Sequence, residues 1–256
     1  LATAFDASVT LTVGGTAYEL SARPLLQGTT AMKWLSGRLV SEWVVWAPVA
    51  AAGAQHPHLA ARFSVRAYAG VKRVRVAVAV ENDWAFEPAP RNFVYDASIR
   101  VGAAETYAKA ELNHYHHARW RKVFWWGEGA ASEPAQDARY LMESGALPHY
   151  DPKLVIAESS LAELQSKWAS LDTGPMEIGP LEKYMPTTGA HEDIGPLSRW
   201  DSMYLVSMDS RARAVTLGLA DLAGSWSNHY RDKDTGLPVT LVDYPYMTLL
   251  GNPGDT

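Results

Sequence analysis

Arg62-Phe63-Ser64-Val65-Arg66-Ala67-Tyr68, then Ala69-Gly70-Val71, then Lys72-Arg73-Val74-Arg75-Val76-Ala77-Val78-Ala79-Val80 reads as two strands paired across a short glycine turn. In the second run two arginines precede a wholly apolar stretch, so the strand leaves solvent and enters a core. Neighbouring segments repeat the pattern. Ser8-Val9-Thr10-Leu11-Thr12-Val13 alternates with period two, meets Gly14-Gly15, and resumes at Thr16-Ala17-Tyr18-Glu19-Leu20. Both glycines accept the positive φ that a tight hairpin turn requires. Leu39 to Trp46 is a further apolar run, closed by Pro48. Asn92 to Val101 and Glu105 to Asn113 flank Gly102-Ala103-Ala104 at hairpin spacing, and His117 to Trp126 follows. Strands of this length joined by short turns predict an antiparallel β-sandwich or barrel over residues 1–128.

Beyond a linker at 129–150 the period changes, and 151–256 reads as a helical segment. Ser160 and Glu163 stand at capping-box spacing, with Leu161, Leu164 and Trp168 at helical steps. Pro196 opens a second helical pattern carrying Trp200, Met203, Tyr204 and Val206. Asp209 reads as the N-cap of a third, ended by Gly224, and the short connector Ser207-Met208-Asp209 predicts a helical hairpin. The expected fold class is therefore β plus α in separate segments.

Composition narrows the function. The 256 residues carry a formal net charge of −5, which argues against a nucleic-acid surface, and 47% are apolar, enough for a sizeable core. There is no run of 18 or more apolar residues, so no helical membrane span is expected. The absence of cysteine removes disulfides, thiolate metal sites and cysteine nucleophiles. No dinucleotide, Walker, zincin, EF-hand or nucleophile-elbow motif occurs, and no cofactor is expected. Ten tryptophans against five phenylalanines, and a chain beginning at Leu1, are the unusual features. The opening residue and the shortage of helical patterns after Tyr150 lead to the expectation that the chain is part of a longer protein, stopping inside a larger helical domain.

Three clusters can carry chemistry. In Asn113 to Trp126, His114 and His116 share a strand face and could jointly hold a metal; the alternative is a packed surface of arginines lying on indole rings. His191-Glu192-Asp193 leads through Pro196 to Arg199-Trp200 and supplies an imidazole, two carboxylates and a guanidinium ahead of a helix; the alternative is that Asp193 caps that helix and Arg199 pairs with an acid. Trp226 to Asp232 gathers His229, Tyr230 and Arg231 after a helix end, with Tyr244 downstream; here the alternative is capping and packing.

The β half, with Glu81-Asn82-Asp83-Trp84 and His114 to Trp126, resembles bacterial proteins whose N-terminal part is a RIFT-barrel domain. The helical half, with Asp193-Ile194-Gly195-Pro196, Arg199-Trp200 and Gly224 to Asp232, is similar to the beginning of the α/α-toroid that follows it. Relatives with this domain order resemble exo-acting rhamnogalacturonan lyases. That resemblance implies β-elimination at a uronate of an acidic polysaccharide. The carboxylate is neutralised, a base takes the C5 proton and an acid protonates the departing oxygen. The expected roles are Arg231 or Arg199 as the neutralising cation, His229 as base and Tyr230 as acid. Trp200 and Trp226 would stack on sugars, with His191, Asp193 and Tyr244 binding substrate. A hydrolase would need two carboxylates, of which Asp193 with Asp232 or Asp243 are available. An extracellular or periplasmic location fits such a substrate. The alternative function is a non-catalytic carbohydrate-binding or structural component of a cell-surface or virion assembly, as a homo-oligomer or part of a larger particle.

Overall fold

In the computed structural model, residues 5–28, 31–128, 136–151, 153–182 and 191–246 are described. The described strands are β1 (Ala7–Val13), β2 (Thr16–Ser21), β3 (Met32–Ser36), β4 (Val40–Ala51), β5 (Ala54–Tyr68), β6 (Arg73–Asn82), β7 (Phe93–Val101), β8 (Ala104–His114) and β9 (Ala118–Gly127). They form one antiparallel sheet in the order β8-β7-β1-β2-β4-β5-β6-β9, with β3 added to β4. The two ends of that order approach each other: the rings of Tyr107 on β8 and Trp120 on β9 lie 5.9 Å apart. The sheet is therefore nearly closed, as a barrel. A short helix, α1 (Ala22–Gln27), follows β2, its start held by Asp6, which accepts from the Arg23 amide at 3.0 Å.

The strand pairs foreseen around Gly14-Gly15, Ala69-Gly70-Val71 and Gly102-Ala103 all form, and β5 aligns Val65 with Val76 and Ala61 with Val80. Pro48 does not close the fourth strand, which continues to Ala51. Pro48 pairs with Ala60 on β5, and on the other edge of β4 it falls between the stretch paired by β3 and the single pairing point with β2 at Ala50, where no N–H is called for. Val9, Leu11, Phe63, Val76, Val78 and Ile99 are fully buried and fill the interior. Each such side chain contributes roughly 1.5–3 kcal/mol by leaving water.

The chain divides into two compact units, Leu1–Gly129 with Gly224–Thr256, and Ala130–Ala223. The second holds α2 (Ala138–Glu143), α3 (Glu158–Ser170), α4 (Arg199–Ser207) and α5 (Ser210–Leu222). Leu161, Leu164, Trp200, Met203, Ala212, Val215 and Leu219 form its core, with Trp168 and Tyr204 packed against it. Asp209 caps α5 by accepting from the Arg211 amide at 2.8 Å, and Met208 turns the hairpin in the left-handed conformation at φ 54°.

Three expectations need correction. The capping box does not form: α3 starts at Glu158 with Ala157 as an uncapped boundary, so Ser160 already lies in its first turn. The span expected as linker contains α2. Among the described residues only a single 3₁₀ turn, Ala223–Ser225, follows α5 where further helix was expected. From there the backbone finds partners beside β6: Arg231 donates to the Asp83 carbonyl at 2.8 Å and Ala85 donates to the Arg231 carbonyl at 2.9 Å.

Gly218 on α5 is sterically required, because a Cβ there would collide with the Trp168 indole. Gly218→Ala should therefore lower the thermal midpoint, checked by far-ultraviolet circular dichroism. Overpacking costs about 1–3 kcal/mol, only partly offset by the ~1 kcal/mol that alanine contributes as a helix former.

Candidate functional site

At the end of β6 the sheet stops being apolar. Glu81 is completely buried, and Asn82 and Asp83 are nearly so. A buried carboxylate is tolerated only when paired, and Glu81 is met by three guanidinium groups. Arg62 from β5 donates through Nε at 2.9 Å and through Nη2 at 3.3 Å; Arg231 Nη2 lies at 3.7 Å and Arg119 Nη1, from β9, at 3.9 Å. Sheet register explains two of these, since Ala60, Glu81 and Arg119 stand side by side on β5, β6 and β9, with Arg62 the next residue on the same face.

The returning tail supplies the third. His229 donates its amide to the His117 carbonyl at 2.9 Å, Val239 donates to Tyr230 at 2.9 Å, and Arg231 bridges both Trp84 and Pro238. Gly224 permits the approach, because a Cβ there would strike the Arg119 backbone. Asp83, Arg119, Asn228, His229, Tyr230 and Arg231 line the cavity so formed, of about 320 Å³.

Electrostatics differ among these groups. Burial, and next the Glu81 charge, push the Asp83 carboxyl up to about 7 against the pull of Arg231. Its Oδ1 is buried without a hydrogen-bond partner, while Oδ2 lies 3.6 Å from Arg231 Nε. Burial lowers His117 to about 4, so its ring is neutral at physiological pH; it packs on Tyr230 with centroids 4.6 Å apart. Burial also raises the Tyr230 hydroxyl above its ordinary value, keeping it protonated. The cavity thus offers a protonated phenol, an imidazole, a carboxyl held well above the ordinary carboxylate range and Arg119, the most open of the three guanidinium groups. Such a set can bind an anion and move a proton.

Comparison of the chain with protein-family models, with curated proteins and with solved structures finds no match.

The residues expected from sequence separate into two groups. Trp226, His229, Tyr230, Arg231 and Tyr244 belong to the β unit, where Tyr244 packs on Phe86 at 5.1 Å rather than on the cavity wall. His191, Asp193, Arg199 and Trp200 belong to the helical unit. There Arg199 pairs with Glu192 and, at 3.8 Å, with Glu163; Trp200 is core. Asp193 does not cap α4, a role taken by Ser198; it accepts from the Glu182 amide at 3.2 Å instead. Asp232 and Asp243 are held in local turns by Thr235 and Thr240.

His114 is not available to a metal. Its Nε2 can only donate to the Ala118 carbonyl at 2.9 Å, so Nδ1 accepts from the Tyr95 hydroxyl at 2.7 Å. That hydroxyl in turn accepts from Trp120 Nε1 at 2.8 Å. His116 lies past the end of β8, beside Asn92, and no group of three metal-ligating side chains occurs among the described residues. Nor is any described helix long and apolar enough to cross a membrane.

Arg119, Glu81 and Asp83 are the site residues that sequence reasoning passed over. The signal was present: a strand entering the core on Val76 to Val80 that ends in Glu81-Asn82-Asp83 must carry partners for its acids.

Proposed function

We propose that this chain acts on an acidic polysaccharide by β-elimination, with the cavity beside Arg119 as the reacting centre. The observation that supports the reading is the convergence of Arg119, His229, Tyr230 and Asp83 on one cavity. Arg119 neutralises the uronate carboxylate and so acidifies the C5–H bond. His229 takes that proton, and Tyr230 delivers one to the departing glycosidic oxygen as the C4–O bond breaks and the C4–C5 double bond forms. Arg231, turned into Glu81 and Asp83, positions the tail rather than touching substrate. Arg199, tied to Glu192 in the other unit, has no part in this scheme. The sequence's resemblance to RIFT-barrel proteins leading into an α/α-toroid, and through them to exo-rhamnogalacturonan lyases, implies this chemistry and an exported location.

The test is to incubate the chain with a polyuronate and follow ultraviolet absorbance of the unsaturated product. Tyr230→Phe should lower kcat by about 10²- to 10⁴-fold, the contribution expected of a general acid. A polyuronate that yields no absorbing product would overturn the elimination and favour the binding role.

A further inference from the structure

The interior of the barrel is packed along most of its length and left unfilled at one end. Strand register lays Val45, Phe63 and Val78 side by side on the inner face, and all three are buried. Two residues along, Trp43, Val65 and Val76 form the next inner row, and beyond it come Ser41, Ala67 and Val74. On β4 and β5 this last row carries only Ser41 and Ala67, where the rows before it hold the larger pairs Val45–Phe63 and Trp43–Val65. A cavity of about 460 Å³ lies there, lined by Trp43, Val65, Ala67 and Val74 of the sheet, by Phe5, and by Arg23, Leu26 and Gln27 of α1. Protein interiors leave few voids larger than a water molecule, whereas ligand sites, common in the mouths of barrels, measure about 300–1,000 Å³.

The cavity has a floor and a mouth. Val65 and Val74 are buried, Trp43, Ala67 and Leu26 are half-buried, and Gln27 is exposed. Arg23 is the cation among its lining residues. Its Nε donates to the Phe5 carbonyl at 3.3 Å and lies 3.9 Å from Asp6. The Asp6 carboxylate is engaged elsewhere, accepting from the Ser21 hydroxyl and the Ala7 amide at 2.9 Å and from the Arg23 amide at 3.0 Å. Both contacts of the guanidinium use Nε, and the side chain stays 40% exposed, so its Nη edge is presented to an incoming anion. Apolar walls with a guanidinium at the border fit a molecule that has an apolar tail and an anionic head.

We propose that this barrel mouth binds a single-chain anionic amphiphile, a fatty-acid-like monocarboxylate whose tail lies against Trp43, Val65 and Val74 and whose head is held by Arg23. The site is separate from the cavity beside Arg119. Val74 lies near the start of β6 and Asp83 just past its other end, roughly 30 Å away along the strand. Amphiphile binding therefore stands or falls independently of the elimination chemistry.

Isothermal titration of the 256-residue chain with decanoate, kept at neutral pH and below the concentration at which it forms micelles, tests this. One decanoate per chain is expected, with no binding of acetate, which lacks the tail. Decyltrimethylammonium keeps the tail and reverses the head, and should bind at least about tenfold more weakly. Arg23→Gln should weaken decanoate about tenfold or more at an unchanged thermal midpoint, the worth of a hydrogen bond to a charged group. Ala67→Leu fills the short row and should remove decanoate binding; if that variant does not fold, Arg23→Gln decides alone. Equal affinity of Arg23→Gln and the parent for decanoate would overturn the site, as would equal affinity of the parent for the two amphiphiles. Uptake of many decanoate molecules with loss of near-ultraviolet circular dichroism would overturn it as well, since that is detergent unfolding rather than a site.

Discussion

Glu81→Gln should destabilise the chain by about 3–5 kcal/mol, the usual cost of removing one partner from a buried ionic cluster. Glu81 has no solvent contact and its carboxylate is the common partner of Arg62, Arg119 and Arg231. A neutral amide leaves three guanidinium groups facing one another with Asp83 as the nearest remaining acid. Some of the loss is recovered, since Asp83 is held up partly by the Glu81 charge and ionises more readily once that charge is gone. The consequence reaches the tail. Arg231 also donates to the Gly236 carbonyl at 2.6 Å, and Arg62 reaches the same oxygen at 3.4 Å, so both arginines tie the β-sheet to the segment that carries His229 and Tyr230. Urea denaturation at neutral pH measures the effect: the midpoint should fall with an unchanged slope. A midpoint equal to that of the parent would mean that solvent reaches the cluster and carries most of the pairing.

The sheet was legible because its information is local. Ser8 to Leu20 around Gly14-Gly15, and Arg62 to Val80 around Gly70, each specify a strand pair by alternation and a turn. Closure was not, since the meeting of β8 with β9 through Tyr107 and Trp120 joins hairpins whose register to each other no short pattern encodes. The same limit explains the site. His229-Tyr230-Arg231 drew attention as a dense cluster, and so did Arg199-Trp200, yet one lies against β6 and the other in a helical core. What distinguishes them is long-range: a backbone ladder between residues 83–85 and 229–231, invisible to periodicity. Arg119 was hidden for a different reason. It sits among arginines and indoles that read equally well as a packed surface, and only the register that sets it beside Glu81 gives it a separate role.

The second large effect is an acid limb in stability, set by histidines that fold in neutral form. His114 is fully buried and lowered from 6.5 to about 4 by that burial, and His56 and His117 are lowered to about 4 as well, also chiefly by burial. A base whose folded pKa is depressed contributes stability that is whole above its unfolded value, near 6.5, and is lost as pH falls through about 4. For His114 the shift amounts to ~3 kcal/mol. Its cause can be followed atom by atom. Because Nε2–H is committed to the Ala118 carbonyl and Nδ1 accepts from Tyr95, a second proton on the ring would point at the Tyr95 hydroxyl hydrogen. Tyr95 could accept that proton only by turning its own hydroxyl hydrogen away from His114, so protonation breaks the buried Tyr95–His114 bond as it stands. Asp83 works in the opposite sense, since a carboxyl raised to about 7 contributes stability that is lost as pH rises from its unfolded value toward 7. One such group offsets part of what three histidines lose, leaving a net fall in the urea midpoint between pH 6.5 and 4. Proton resonances of the His114 ring, followed over the same range, should titrate near pH 4. Titration near 6.5, or a urea midpoint that stays level down to pH 4.5, would show that the Tyr95–His114–Ala118 chain does not hold the ring neutral.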